Sequence, residues 1–311
     1  MITVAGFNTA IDRFIEVDAL TPGEVHRARA ENNYPGGKGV HVAQTIAALD
    51  ERVRLVGVID AAYRSFVEER MGARGVLFQG VEIEGPLRQC MALRDSAGNI
   101  TEVLGQGPQL SAIEQDELLR EFGRSAQESE LVILSGSLPR GFADNLYARL
   151  VDDVHGLGKR CLVDASGAAL RHAVDAKPFL VKPNRDEISE LVGQTVIDVH
   201  GAEQAVLALR KRGIAMPVVT LGVLGAVAAD DSGVWRAHLD DVHVRNTVGS
   251  GDCLLAGMAV ALHRQMPLER ALRLGVACGA ANAASEETGF AERSNIESLL
   301  AQVSVERLRD A

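Results

Sequence analysis

Four apolar runs that each close on a polar residue constrain this chain more than any other feature. "MITVAGF" runs into Asn8, "LVILSG" carries Ser135 near its end, "RCLVDAS" carries Asp164 and "FLVKPN" stops at Asn184. Such runs read as strands buried on both faces, and the amphipathic segments between them, such as "NLYARLVDDVHGLG" and "AEQAVLALRKRG", read as helices. The alternation predicts an α/β protein with a mainly parallel central sheet covered on both faces. Ligands gather outside the carboxyl ends of the strands in such sheets, which is where these four polar residues fall.

The remaining segments fit that frame with one excursion. "RFIEV" and "EVHRARAE" alternate as half-exposed strands do, and "GGKGVHVAQTIAALD" reads as glycines leading into a helix of small residues. "VRLVGVI" is a strand, "SFVEERMGAR" a helix, and "RDEISELVG" opens another helix. From Arg88 the texture changes: "RQCMALRD", the turn "SAGN" and "ITEVLG" predict a hairpin belonging to a smaller sheet. "MPVVTLG" and "GAVAAD" then lead through a further hairpin to a glycine motif.

With 47% apolar and 24% charged residues among 311, the chain can bury a sizeable core. A net charge of -10 argues against a nucleic-acid surface. No apolar run reaches membrane-spanning length and "MITVAGFN" lacks the form of a secretory leader, so a cytoplasmic protein is expected. Cys90, Cys161, Cys253 and Cys278 show no C-x-x-C spacing and are expected to fill apolar space in a reducing compartment.

"NTVGSGDCLLAGMAVALH" sets Gly249, Ser250, Gly251 and Asp252 in front of an apolar helix. Unpaired N–H groups at a helix start suit a phosphate, but a fixed carboxylate there does not. Asp252 is therefore either an ordinary cap or a base that accepts the proton of an attacking hydroxyl. Gly37 and Lys38 sit in "GGKG", which lacks both the Walker A and the Rossmann form; it is either a close-packed turn or a phosphate or sugar contact. Asn184 and Glu187 in "KPNRDE" have the spacing of a capping box, and the same spacing lets both address magnesium. Lys182 just before them is placed to reach an anion. Ser137, in "SGSLP", offers a small donor at a strand end; Asp12 and Arg88, from the smaller sheet, suit sugar hydroxyls and a phosphate, with Arg27 a weaker candidate.

Taken together these motifs resemble the ribokinase-like sugar kinases in their B-type phosphofructokinase branch, on the side of 1-phosphofructokinase and tagatose-6-phosphate kinase. "NTAIDR", "GEVHRARAENNYPGGKGVHVA", "LRQCMALRDSAGNITEVLGQGP", "LSGSLPRG", "VKPNRDEISELVG", "TLGVLGA" and "NTVGSGDCLLAG" follow the family's order along essentially the whole chain. The resemblance implies one three-layer α/β/α kinase domain over 1–311, with a β-sheet lid formed by insertions at about 11–34 and 86–106. It implies Asp252 as general base and Gly249, Ser250 and Gly251 as the anion hole. It assigns Asp12, Gly37, Lys38, His41, Arg88, Ser137 and Arg27 to the sugar phosphate. Lys182, Asn184, Glu187, Thr220, Gly222, Gly225 and Asn282 fall to ATP, with Glu187 and Asn184 near Mg2+. A homodimer through the lid sheets is implied as well. Three residues depart from the family's habit: His41 stands where it usually has Asn, Gln44 where it often has Arg, and Thr9 where it has Pro.

The expected activity is therefore ATP- and magnesium-dependent phosphorylation of a hydroxyl on a phosphorylated ketohexose. Fructose 1-phosphate, tagatose 6-phosphate and fructose 6-phosphate are the candidates, and the hairpin tilts toward tagatose 6-phosphate. Two alternatives stay open: a kinase of an unphosphorylated sugar or nucleoside, and a non-catalytic sugar-phosphate or nucleotide sensor that kept the fold.

Overall fold

The computed structural model describes residues 1–310. The chain opens with β1 (Ile2–Ala5), all four residues buried. β2 (Ala10–Glu16) and β3 (Ala30–Gly36) follow, and Gly37 leads into α1 (Lys38–Ala48). Next come β4 (Val53–Ile59), α2 (Arg64–Ala73), β5 (Val76–Glu82), β6 (Arg88–Arg94) and β7 (Ile100–Leu104). The middle comprises α3 (Ala112–Gln127), β8 (Leu131–Ser135), α4 (Leu146–Gly156), β9 (Arg160–Asp164), α5 (Gly167–Asp175) and β10 (Leu180–Val181). It continues through α6 (Arg185–Val192), α7 (Val199–Lys211) and β11 (Met216–Thr220). The last part holds β12 (Ala226–Asp230), β13 (Gly233–His238), α8 (Ser250–His263), α9 (Leu268–Ala283), α10 (Arg293–Leu300) and β14 (Ser304–Asp310).

Ten strands form the main sheet in the order β14-β13-β12-β11-β10-β9-β8-β1-β4-β5. The run from β11 to β5 is parallel, and β12, β13 and β14 add an antiparallel edge. From β1 the chain moves outward to β4 and β5, then returns to the other side of β1 as β8. That reversal makes the gap between β1 and β8 a topological switch point, the place where a parallel sheet opens a crevice. Asn8 follows β1 there and Ser135 ends β8.

The second sheet has the order β3-β2-β6-β7. It is mixed: β2 pairs antiparallel with β3 but parallel with β6, across the whole of Ala10–Glu16. The hairpin expected from Arg88 is β6 and β7. Most of "EVHRARAE" is not a strand; residues 21–29 run as largely exposed loop and β3 starts at Ala30, so only its last two residues are strand. Its alternation comes from charged and small residues facing water, which gives no buried face to hold a register.

α8 is buried along nearly its whole length, as its apolar sequence requires. It packs so closely on α9 that a side chain at Gly257 would run into Leu274 O and Cys278 Sγ, and one at Gly275 into Met258 and Leu254 O. This fixes the start of α8 against the body of the protein. All four cysteines are free and buried.

Candidate active site

Between the two sheets lies a cleft of about 830 Å³, floored by the carboxyl ends of β1, β8, β9, β10 and β11 and roofed by β2, β6 and β7. At its centre is the start of α8. Gly249 occupies the N-cap in a left-handed conformation (φ 83°) and brings no side chain to cap the helix. Ser250 N–H turns back to Thr247 O at 3.2 Å, so of the expected anion-hole donors it is already engaged. Gly251 and Asp252 line the cleft one and two residues further on. Two buried amides hold this loop. Asn282 Nδ2 donates to Val248 O and to Ser250 Oγ, both at 2.9 Å, and Asn246 Nδ2 donates to Thr288 Oγ1 at 3.0 Å. Asn282 was expected on the nucleotide; it is fully buried and sits under this loop, where its amide holds Val248 and Ser250.

Asp252 does not cap α8 with its side chain. Its Oδ2 lies 2.8 Å from His41 Nδ1, and the other ring nitrogen, Nε2, lies 3.0 Å from Asp12 Oδ2. His41 was expected to touch substrate; instead both of its nitrogens are occupied by protein carboxylates.

A second charged group spans the floor. Asp164, fully buried, takes Lys38 Nζ on one oxygen and Lys182 Nζ on the other, each at 3.0 Å. Burial alone would raise the Asp164 carboxyl, but the two ammonium groups hold it below the ordinary range. Burial likewise works against a charge on Lys38, and Asp164, with Asp252 and Glu187 further off, keeps it above the usual lysine value. Lys182 Nζ lies just 3.3 Å from where a Cβ on Gly251 would stand, so these cations face the α8 loop. In the sequence Asp164 is visible as a strand-end polar residue, but nothing local signals its two lysine partners.

Asn184 and Glu187 form the complete capping box of α6. Asn184 Oδ1 accepts from the N–H groups of Asp186 and Glu187 at 2.9 Å, and Glu187 Oε2 accepts from Asn184 N–H at 2.9 Å. The Asn184 oxygen is spent on the cap, which leaves Glu187 Oε1 as the available oxygen. Among the described residues there is no cluster of three or more His, Cys, Asp or Glu that could cage a metal. The donor set fits a magnesium ion held mainly by phosphates and water, with one carboxylate nearby.

Toward the lid, Arg88 donates to Ser137 Oγ at 3.1 Å, and Asn8 Nδ2 donates to the same oxygen at 2.9 Å. Arg88 Nε, Asn8 Oδ1 and Ser135 Oγ are buried without protein partners, polar groups of the kind that a ligand or water satisfies. The two cations expected to share one phosphate, Lys38 and Arg88, are thus engaged with different partners. Gly37 and Asp12 line the same cleft. Arg27 does not; it is exposed on the loop before β3.

The opposite end is lined by Thr220, Gly222 and Gly225, with Leu221, Val223, Leu239, Val242, Val276, Ala280 and Ala283 forming an apolar wall. Those last five residues carried no polar pattern and only the fold assembles them.

The chain matches the pfkB family of carbohydrate kinases over residues 5–295. It is 31% identical over 308 residues to the 1-phosphofructokinase of Bacillus subtilis (strain 168), covering 99% of this chain and 100% of that one. Among solved structures it is similar to phosphofructokinase-2 from Escherichia coli in complex with substrates and products: TM-score 0.90, 26% identity, 96% and 98% of the two chains. A Thermotoga maritima protein described as a possible 1-phosphofructokinase supports the fold alone, with TM-score 0.88 and 20% identity over 99% of each chain. The chain therefore belongs to the pfkB family of carbohydrate kinases, enzymes that use ATP, and its architecture is the ribokinase-like fold with its small β-sheet lid. Within that family it is a sugar-phosphate kinase of the phosphofructokinase type.

Proposed function

We propose that the protein transfers the γ-phosphoryl group of ATP to a free hydroxyl of a phosphorylated ketohexose, with fructose 1-phosphate as first candidate. The full-length likeness to a 1-phosphofructokinase supports that choice over tagatose 6-phosphate, toward which the hairpin had tilted, and over fructose 6-phosphate. The observation that carries the mechanism is Asp252 in the first turn of α8, beside free backbone donors and two lysines yet tied to the sugar side through His41.

In this reading ATP enters along the apolar wall and the 220–225 turn, and its terminal phosphate meets Gly251 and Asp252 N–H with Lys38 and Lys182 alongside. Lys38 is thereby reassigned from the sugar's phosphate to the transferred one. Arg88, Ser137 and Asn8 hold the phosphate already on the sugar, and Asp12 its hydroxyls. The acceptor oxygen bonds to the γ-phosphorus as the bond to the bridging oxygen breaks; the hydroxyl proton passes to Asp252 and ADP leaves. Charge that grows in transfer meets preorganised dipoles and ammonium groups. Magnesium, when bound, neutralises phosphate oxygens, with Glu187 as its protein contact, directly or through water.

Chain and lid are read as one catalytic domain. Val103 and Leu104 on β7 are half exposed, which supports pairing of two copies through the lids. No helix among the described residues is long and apolar enough to cross a membrane, and the free buried thiols support a cytoplasmic setting.

The test is an ADP-release assay with ATP, magnesium and the three ketohexose phosphates beside free fructose, ribose and adenosine. Turnover confined to a phosphorylated ketose supports the reading. Turnover confined to unphosphorylated acceptors refutes the role given to Arg88, and ligand binding without turnover on the whole panel moves the protein to the sensor class.

A further inference from the structure

His41 is the most buried ionisable group facing the cleft that the mechanism above leaves unused, with 4% of its side chain accessible. Its ring stands between two carboxylates on elements far apart in the chain. Nδ1 meets Asp252 Oδ2 at 2.8 Å and Nε2 meets Asp12 Oδ2 at 3.0 Å. A neutral imidazole has one N–H and one lone pair, so it can serve only one of two ionised carboxylates; the other would face a lone pair at hydrogen-bond distance. Only the imidazolium donates at both ends.

The backbone is shaped around this ring. Gly289, at φ 67°, lays its bare Cα against it, and a methyl carbon there would overlap Cδ2, Cγ and Nε2. Gly249, the N-cap of α8, lies next to both: its own Cβ would stand 3.1 Å from Nδ1 and 2.5 Å from Gly289 Cα. The ring borders the cleft with only a sliver exposed, and both of its nitrogens are already taken. The second oxygens, Oδ1 of Asp12 and of Asp252, have no hydrogen bond to any described residue and are not among the buried unpartnered atoms.

We propose that His41 is a positioning residue, an imidazolium bridge that locks the sugar-holding Asp12 and the base Asp252 in one register and leaves one oxygen of each turned to the acceptor. The inference rests on the reading of Asp252 as base. Ionisable groups face this part of the cleft from several elements. Asp252 comes from α8, Asp12 from β2, Glu102 from β7, Cys90 from β6 beside Asp12, Tyr34 from β3 opposite Asp12, and Lys38 from the first turn of α1 itself. Loop 285–291 contributes the backbone of Gly289, and behind it Arg74 pairs with Glu287. Burial raises the Glu102 carboxyl, and the negative charges of Asp12 and Asp252 raise it further. Three acids thus converge where two phosphorylated substrates must approach, and a cation fixed between two of them offsets part of that repulsion. Burial opposes a charge on His41, but the hydrogen bonds and charges of Asp12 and Asp252 outweigh it and push the imidazole up to about 10.

The experiment is NMR of the histidine ring nitrogens in the intact enzyme from pH 6 to 10, joined to kinetics of His41→Asn and His41→Gln. One ring is expected to stay predominantly protonated through pH 9, and its signal should be the one lost in both variants. Both variants should bind ATP as the parent does. Their kcat/KM for the sugar phosphate should fall on the order of 10²-fold, the scale of a small misplacement of reacting groups. In the parent kcat/KM should decline as His41 loses its proton near pH 10, and that decline should be missing from the variants. A neutral ring at pH 7 to 8 overturns the proposal whatever the variants do. Unchanged kcat/KM and pH profile in folded variants overturn it as well. An inactive Asp252→Asn variant combined with a neutral His41 ring would leave the kinase reading standing and remove this inference alone.

Discussion

Gly289→Ala puts the geometry around His41 under direct load. Two costs follow from the structure. The residue sits at φ 67°, where a side chain costs about 1–2 kcal/mol. The new methyl also overlaps the His41 ring, which two carboxylates keep from stepping aside, and overpacking of this kind costs about 1–3 kcal/mol. The sum is roughly 2–5 kcal/mol of stability. Urea unfolding of the parent, Gly289→Ala, His41→Ala and the double variant separates the two. With the ring gone the steric part disappears, so the double variant should be more stable than the sum of the single effects by about 1–3 kcal/mol, while the backbone part remains. In the single Gly289→Ala variant, kcat/KM should drop along with stability because the displaced ring carries Asp12 and Asp252 with it. Additivity within about 0.5 kcal/mol would show that Gly289 and His41 do not share that space.

Three further outcomes follow from the same structure. Arg88→Ala should raise KM for the phosphorylated ketose by about 10- to 100-fold, the worth of a charged hydrogen bond, while turnover at saturation changes little; steady-state kinetics reads this. Asp164→Asn strips two lysines of their shared counter-ion in a buried site, so unfolding by denaturant should show a loss of about 3–5 kcal/mol. The pH dependence of stability has a definite sign at His41, whose folded value lies above its unfolded one. Its contribution is fully present below about pH 6.5 and is lost as pH rises toward about 10. The stability advantage of the parent over His41→Asn should accordingly shrink by about 1.2 kcal/mol per pH unit between pH 7 and 9.

Much of the scaffold was legible because local chemistry specified it. The apolar strands β1, β8, β9 and β11 and the capping box of α6 announce themselves in a few residues each, and the box closes as its spacing predicts. The glycine run before α8 likewise shows where a helix start is left uncapped. What stayed hidden depends on contacts between distant segments. The parallel pairing of β2 with β6 joins Ala10–Glu16 to Arg88–Arg94, and nothing in either strand encodes its partner. The bridge at His41 reaches Asp12 across 29 residues and Asp252 across 211, so in the sequence it is only a histidine in place of an asparagine. Gly289 gave no signal, since its reason is a ring from α1. Lys38 was read beside Arg88 because both are cations near glycines or a lid, whereas the buried Asp164 decides which partner it takes. Alternation misled once, at "EVHRARAE", where no apolar face backed the pattern.

The proposed central step is transfer of the acceptor hydroxyl's proton to Asp252. Asp252→Asn keeps the size of the side chain and a group able to meet His41, but not the basicity. Turnover and binding are measured together on this variant, with ADP release for the first and calorimetry with ATP and with fructose 1-phosphate for the second. If Asp252 is the base, kcat falls about 10²–10⁴-fold while both affinities stay within a few-fold of the parent. A variant that binds both ligands and turns over at the parental rate would contradict it.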